Sequence, residues 1–173
     1  MAEVMFTKIT DYLEKYENAL REMREELSSY LHMASLLCYE APLRGNKLIV
    51  VAEGASRWVA AWTVETLRRY VKDADVRLFE ANEDALARYA TVVEEMDVVL
   101  ALSSGAQSEM LEQFLDEAKE RDAKRVVLCG AAYSDTFDSY DVKVELPVSD
   151  EDKISLLQMS VCGMIADAIK LVV

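Results

Sequence analysis

The chain has 173 residues, 52% of them apolar and 29% charged, with a formal net charge of −13. That length is enough for one domain with a full core, and the composition is that of a globular protein. The acidic balance argues against nucleic acid and against anionic membranes, since both need basic patches, and no stretch of about 18 apolar residues is present to span a bilayer.

The first residues, Met1 to Phe6, lack the basic-then-apolar order of a secretory signal. Apolar side chains at Phe6, Ile9, Leu13, Tyr16, Leu20, Met23, Leu27 and Tyr30 recur in alternating steps of three and four. This spacing predicts one long amphipathic helix with a coiled-coil-like seam. The helix continues towards Cys38, and Pro42 and Gly45 end it. So regular a seam must pack on something, either the domain body or a second copy of the chain. Residues 47–52 read as a buried strand, and Glu53-Gly-Ala-Ser56 as a tight turn. Residues 57–71 read as a helix whose apolar side carries Trp58, Ala61, Trp62 and Leu67, with both tryptophans in the core rather than serving as a ligand platform. A strand at 76–80, a helix at 84–94 and a strand at 97–102 come next. The small-residue turn Ser103-Ser-Gly-Ala-Gln-Ser108 leads into a helix at 107–121 and then a strand at 125–129. Beyond a loop at 131–139, residues 141–146 alternate like a less buried strand stopped by Pro147. Ser149 then caps a last helix over about 151–171. Cys38, Cys129 and Cys162 have no paired spacing and sit in apolar contexts. They read as small core residues in a reducing, cytoplasmic setting.

Strands alternating with helices at this spacing predict an α/β fold, a doubly wound five-stranded parallel sheet in the common order 2-1-3-4-5. The chain is then a single domain, with a helical segment over 1–41 and an α/β body over 47–173. Ligands of such sheets bind outside the carboxyl ends of the strands, where the strand order reverses. The turns at 53–56 and 103–108 follow the first and third strands, which are neighbours at that point. The second turn gathers hydroxyls and unpaired backbone N–H groups at a helix N-terminus, where the helix dipole is positive. A phosphate-sized anion is the expected ligand. With a net charge of −13 the long-range field repels an anion, so local donors must hold it. Arg57 follows Ser56 directly, and is either a bidentate partner for a phosphate or sugar acid or an ordinary surface arginine. A dinucleotide fingerprint and Gly-x-Ser-x-Gly are both missing. One histidine and no cysteine pair exclude most zinc sites, and no carboxylates have metal-loop spacing. Neither a metal nor a cofactor is expected.

On the residues Ala52-Glu53-Gly54-Ala55-Ser56 and Ser103-Ser104-Gly105-Ala106-Gln107-Ser108, the chain resembles the SIS (sugar isomerase) domain family. That family carries Gly-x-Gly-x-Ser after its first strand and Ser-x-Ser-Gly-x-Ser/Thr after its third. The size and the helix-first layout resemble its phosphoheptose isomerases most, together with archaeal-type hexulose-phosphate isomerases. Ser56, Ser103 and Ser108 match; Ala52 replaces a glycine, Gly105 a serine and Ala106 a glycine, and Gln107 falls at a variable position. The resemblance implies a phosphorylated sugar held by Ser56, Arg57, Ser103, Ser104, Gln107 and Ser108, and a homodimer or homotetramer. It also implies aldose–ketose isomerisation without a cofactor, which needs a general base beside the α-carbon. Phosphoheptose isomerases use a glutamate on the helix after the first strand and a histidine on the last helix. Glu65 falls one residue from the glutamate position. It reads either as that catalytic base or as a half-exposed helix carboxylate paired with Arg68 or Arg69. The last helix has no histidine; its polar side offers Ser155, Gln158, Ser160 and Asp167. His32, on the first helix, is either a half-buried helix residue or a group lent to a neighbouring subunit's pocket. The alternative to an isomerase is a non-catalytic carbohydrate-phosphate sensor or oligomeric interaction protein of the same fold.

Overall fold

The computed structural model describes residues 2–71, 73–105, 109–132, 137, 138 and 140–171. In chain order the elements are α1 (Ala2–Glu26), α2 (Ser28–Leu43), β1 (Leu48–Ala52), α3 (Ser56–Tyr70), β2 (Val76–Glu80), α4 (Glu83–Tyr89), β3 (Val98–Leu102), α5 (Glu109–Glu120), β4 (Lys124–Gly130), β5 (Val142–Leu146) and α6 (Glu151–Lys170). The strands form one parallel sheet in the order β2-β1-β3-β4-β5, as the sequence predicts. Every residue of β1 and β3 is buried, because helices cover both faces of the sheet. One core, built on Leu48, Val50, Leu100 and Leu102, packs against α2, α3 and α6. The other, built on Ile49, Val51, Val99 and Ala101, packs against α4 and α5. β5 alternates buried and half-buried, as expected of an edge strand.

The strand register positions the turns. Ala52 lies opposite Leu102, so β1 and β3 end at the same level and their turns emerge side by side. At the opposite end, the buried Asp97 carboxylate accepts the backbone N–H groups of Lys47 at 2.8 Å and Glu94 at 2.9 Å. It thereby locks the entrances of the same two strands. The Lys47 ammonium pairs with both Asp97 and Glu94.

Four details depart from the sequence reading. The N-terminal helix bends at Leu27, just before the Ser28–Ser29 pair, and so becomes α1 and α2. Pro42 sits inside the last turn of α2 rather than ending it. Helix α4 stops at Tyr89, shorter than the 84–94 span, and Asn82 caps its start through Ala85 N at 2.9 Å. The cap of α6 is Asp150, which accepts Lys153 N, and not Ser149. The tryptophans are also displaced from the expected core: Trp58 is 81% exposed and Trp62 40%. The buried stripe of α3 runs instead through Val59, Ala60, Thr63, Val64 and Leu67.

The seam of α1 is only partly used. Met23 is buried, Tyr16 and Leu27 are half-buried, and the Tyr16 hydroxyl meets Ser160 Oγ at 2.9 Å. Ile9, Leu13, Leu20 and Tyr30 are exposed, Leu13 at 60%; the Phe6 side chain lies outside the described residues. No helix among the described residues is long and apolar enough to cross a membrane.

All three cysteines are free and buried. Burial pushes the Cys129 thiol up to about 12 and the Cys162 thiol up to about 11; burial, and then Cys162 beside it, raise Cys38 as well. A thiol reagent at neutral pH is therefore expected to label none of the three in the folded protein and all three in urea. Labelling of the native state at a free-thiol rate would contradict this packing.

Candidate functional site

The site is built where β1 and β3 end. Because Ala52 and Leu102 are paired, the next residues, Glu53 and Ser103, stand beside each other, and Ser103 Oγ donates to Glu53 Oε1 at 2.7 Å. Gly54 follows with φ +53°, a backbone conformation that side-chain-bearing residues rarely adopt. A Cβ at Gly54 would stand 3.2 Å from Ser104 Oγ, so the two turns touch here. Ser104 is 1% exposed, and its hydroxyl has no hydrogen-bond partner among the described residues. Such a group costs free energy unless something binds it.

Helix α3 starts at Ser56, directly behind the first turn. Ser56 is buried, and its hydroxyl donates to Gln158 Oε1 at 2.7 Å. The Gln158 amide nitrogen donates to Ser103 O at 2.9 Å and to Leu128 O at 3.0 Å. One fully buried side chain of α6 therefore ties the start of α3 to the ends of β3 and β4. The approach of α6 depends on glycine at residue 130: a Cβ there would fall 2.4 Å from Ile154 Cδ1 and 2.8 Å from Val148 O. Sequence reasoning puts Gln158 on the polar side of the last helix, and the structure buries it. Its position relative to Ile154, Val161, Cys162 and Ile165 is the available signal, since steps of three, four and seven put it in the middle of the buried stripe.

The other candidates lie around the rim or away from it. The Arg57 guanidinium reaches Gly54 O at 3.1 Å and Glu80 at 3.4 Å, half exposed on the rim of the first turn. Glu151, at the start of α6, lies against the second turn, with its Oε1 3.0 Å from where a Gly105 Cβ would stand. A groove of about 360 Å³ runs from Ala55 along Trp58, Asp152, Ser155, Leu156 and Met159. Gln107 and Ser108 lie outside the described residues. Glu65 is 66% exposed and pairs with Arg68 at 3.6 Å. It lies nine residues along α3 from Ser56, which is about 13 Å of helix rise. His32 is exposed and lines a groove with Met23, Val161, Met164 and Ala168, towards the far end of α6. Among the described residues no group of three or more His, Cys, Asp or Glu is placed to hold a metal ion.

Replacing Gln158 by Leu keeps the volume but leaves Ser103 O and Ser56 Oγ without the partner Gln158 gives them, and Leu128 O with Ser103 N as its remaining donor. The expected cost is about 2–4 kcal/mol, read as a lowered urea midpoint with an unchanged slope. Gln158→Glu should cost as much, since a carboxylate cannot donate to two carbonyls. A loss below about 1 kcal/mol in both variants would show that the amide does not hold these elements together.

The comparisons agree with this fold. A phosphoheptose isomerase of Nitratiruptor sp. is 22% identical over 186 residues, spanning 95% of this chain and all of that protein. A phosphoheptose isomerase structure from Francisella tularensis superposes with a TM-score of 0.82 at 18% identity, over 96% of this chain and 98% of that one. The Vibrio vulnificus NanR protein complexed with ManNAc-6P superposes with a TM-score of 0.69 at 15% identity, over 96% of this chain and 65% of that one. Residues 44–168 match the SIS domain family, which takes in both turns, α3 and nearly all of α6, and the chain is therefore a member of that family.

Proposed function

We propose that this protein binds a phosphorylated sugar in the crevice between the β1 and β3 turns. Its reaction is then that of a phosphoheptose-isomerase-like enzyme, interconverting an aldose phosphate and a ketose phosphate in the cytoplasm without a cofactor. The observation that carries the reading is Ser104, a buried hydroxyl without a partner among the described residues, aimed at the glycine of the facing turn. Ser103 stands beside it with its hydroxyl donating to Glu53, Ser56 lies directly behind the first turn donating to Gln158, and Arg57 on the rim can swing from Glu80 to a bound anion. Gln107 and Ser108 complete the set by sequence. The Trp58–Met159 groove leads away from the turns and fits the carbon chain of the sugar, the indole face packing on C–H groups. The names of the similar proteins, with phosphoheptose isomerisation in one and ManNAc-6P in another, point to the same ligand class.

Isomerisation moves a proton between neighbouring carbons through an enediol, so a base must reach the sugar. Glu65 shares the exposed face of α3 with Trp58 and Trp62, at steps of seven and three. We assign it as the base of a crevice on a second subunit docked against that face. Exposed Ile9, Leu13 and Leu20 on α1 provide a further surface for a homodimer or homotetramer. The second reading, a non-catalytic sensor or assembly partner, is favoured by the Glu65–Arg68 pair and by the buried glutamine on α6.

Thermal unfolding against a panel of sugar phosphates, with inorganic phosphate and unphosphorylated sugars as controls, tests the ligand. A cognate sugar phosphate at a hundred times its dissociation constant should add about 2.7 kcal/mol of stability. No shift with any phosphorylated sugar would sink the binding reading. With the responding sugar, Glu65→Gln should lower kcat at least roughly a hundredfold with KM little changed if the enzyme reading is right. An absence of turnover in the unaltered protein would leave the sensor. Leu13→Glu combined with Ile9→Glu should reduce the molar mass in solution to that of a smaller assembly or monomer. An unchanged mass by light scattering would remove α1 from the interface.

A further inference from the structure

We infer that Glu53 gates the crevice: its carboxylate holds the Ser103 hydroxyl in the ligand-free protein and must turn away from it before an anion can bind there. The inference rests on the sugar-phosphate reading and names what regulates that site.

A serine hydroxyl has one proton to donate. Ser103 gives it to Glu53 Oε1 at 2.7 Å, so the same proton cannot reach a phosphate oxygen. The arrangement is imposed by the sheet, since the pairing of Ala52 with Leu102 sets Glu53 and Ser103 side by side. Ser104, the next residue, keeps its buried hydroxyl unpartnered among the described residues and aimed at Gly54. One donor of the turn is therefore open and the adjacent one is closed by a carboxylate. A phosphate on Ser104 would stand next to Glu53, and like charges at such a distance in a half-buried crevice repel strongly. The charged groups on the adjoining elements do not cancel this. Arg57 is engaged by Gly54 O and Glu80, and Glu151 brings a second carboxylate against Gly105 from the start of α6. Turned away from Ser103, the Glu53 carboxylate leaves that hydroxyl free to donate to the anion.

Sulfate is the probe, because it stays a dianion across the carboxylate range. Calorimetric titration of the intact chain should give a sulfate dissociation constant at least roughly tenfold lower for Glu53→Gln than for the unaltered protein near neutral pH. Glu53→Ala gives the same readout if the glutamine variant does not fold. Glu151→Gln should tighten binding much less, which separates the gate from general acidity of the rim. Equal affinities with and without Glu53, weaker binding by both Glu53 variants, or an equal gain in Glu151→Gln would overturn the gate and leave the sugar-phosphate reading standing. Failure of every folded variant to bind sulfate, inorganic phosphate or any sugar phosphate would overturn both.

Discussion

The Gln158 amide is the contact on which the crevice depends. Its oxygen accepts from Ser56 and its nitrogen donates to Ser103 O and Leu128 O, so both ends of one buried side chain are used. Three elements that meet at the carboxyl edge of the sheet are held by it: the start of α3, the end of β3 and the end of β4. Parallel strands leave their last carbonyls without ladder partners, and a helix start leaves its own polar groups to satisfy. Gln158 gives the Ser103 carbonyl a donor, adds a second donor to the Leu128 carbonyl beside Ser103 N, and accepts from the buried Ser56 hydroxyl. The absence of a side chain at Gly130 lets α6 come close enough to do so. The same contact has a functional consequence. The Ser56 hydroxyl, which the turn pattern offers to a ligand, donates here to Gln158, so in the proposed reading anion binding falls on Ser103, Ser104 and Arg57.

How much of this is readable in the sequence depends on what each signal contains. The all-apolar runs of β1 and β3 can only be central strands, and their alternation with helices leaves few sheet orders. The position of the crevice comes from that order, because two small-residue turns have to emerge at the switch point. Periodicity is weaker for deciding which side of a helix faces inward when the side chains are ambiguous. Trp58 and Trp62 read as core from their size, yet small residues, Ala60 and Thr63 among them, fill the stripe that meets the sheet. Gln158 is the converse case, a polar residue that reads as surface although its helical position is central to the buried stripe. The bend at Leu27 is also hidden, since the apolar seam runs through it without a break and only the Ser28–Ser29 pair marks the change of direction. The pairing of Glu53 with Ser103 needs the strand register, which no one-dimensional pattern supplies.

Charge around the crevice is distributed against the expected ligand. Helix α6 opens with Glu151 and Asp152, and α5 with Glu109 and Glu112. Partial burial, and then the neighbouring Asp116, Asp138 and Glu109, hold the Glu112 carboxyl above the usual carboxylate range, a sign that negative charge is crowded there. Carboxylates at helix starts satisfy the helix dipole from within the chain, so less of it remains for an incoming anion. A phosphate that binds here does so by short-range donors and in spite of the field. Such a site discriminates more by geometry than by attraction, and its affinity is sensitive to any carboxylate that changes place or charge.

The exposed surfaces bear on catalysis rather than only on assembly. A single chain leaves Ile9, Leu13 and Leu20 uncovered on α1, and Trp58 and Trp62 uncovered on α3. Burying a large side chain contributes about 1.5–3 kcal/mol, so a surface carrying several of them favours a partner whose own surface is equally apolar, and a second copy meets that condition by construction. Glu65 shares the tryptophan face of α3. In a lone chain it is a solvated carboxylate paired with Arg68. Against a second copy it would lose solvent, and the pair with Arg68 would have to compete with whatever the neighbour presents. In the proposed reading turnover therefore belongs to the assembled protein, whereas the buried Ser104 hydroxyl, unpartnered among the described residues, belongs to the single chain.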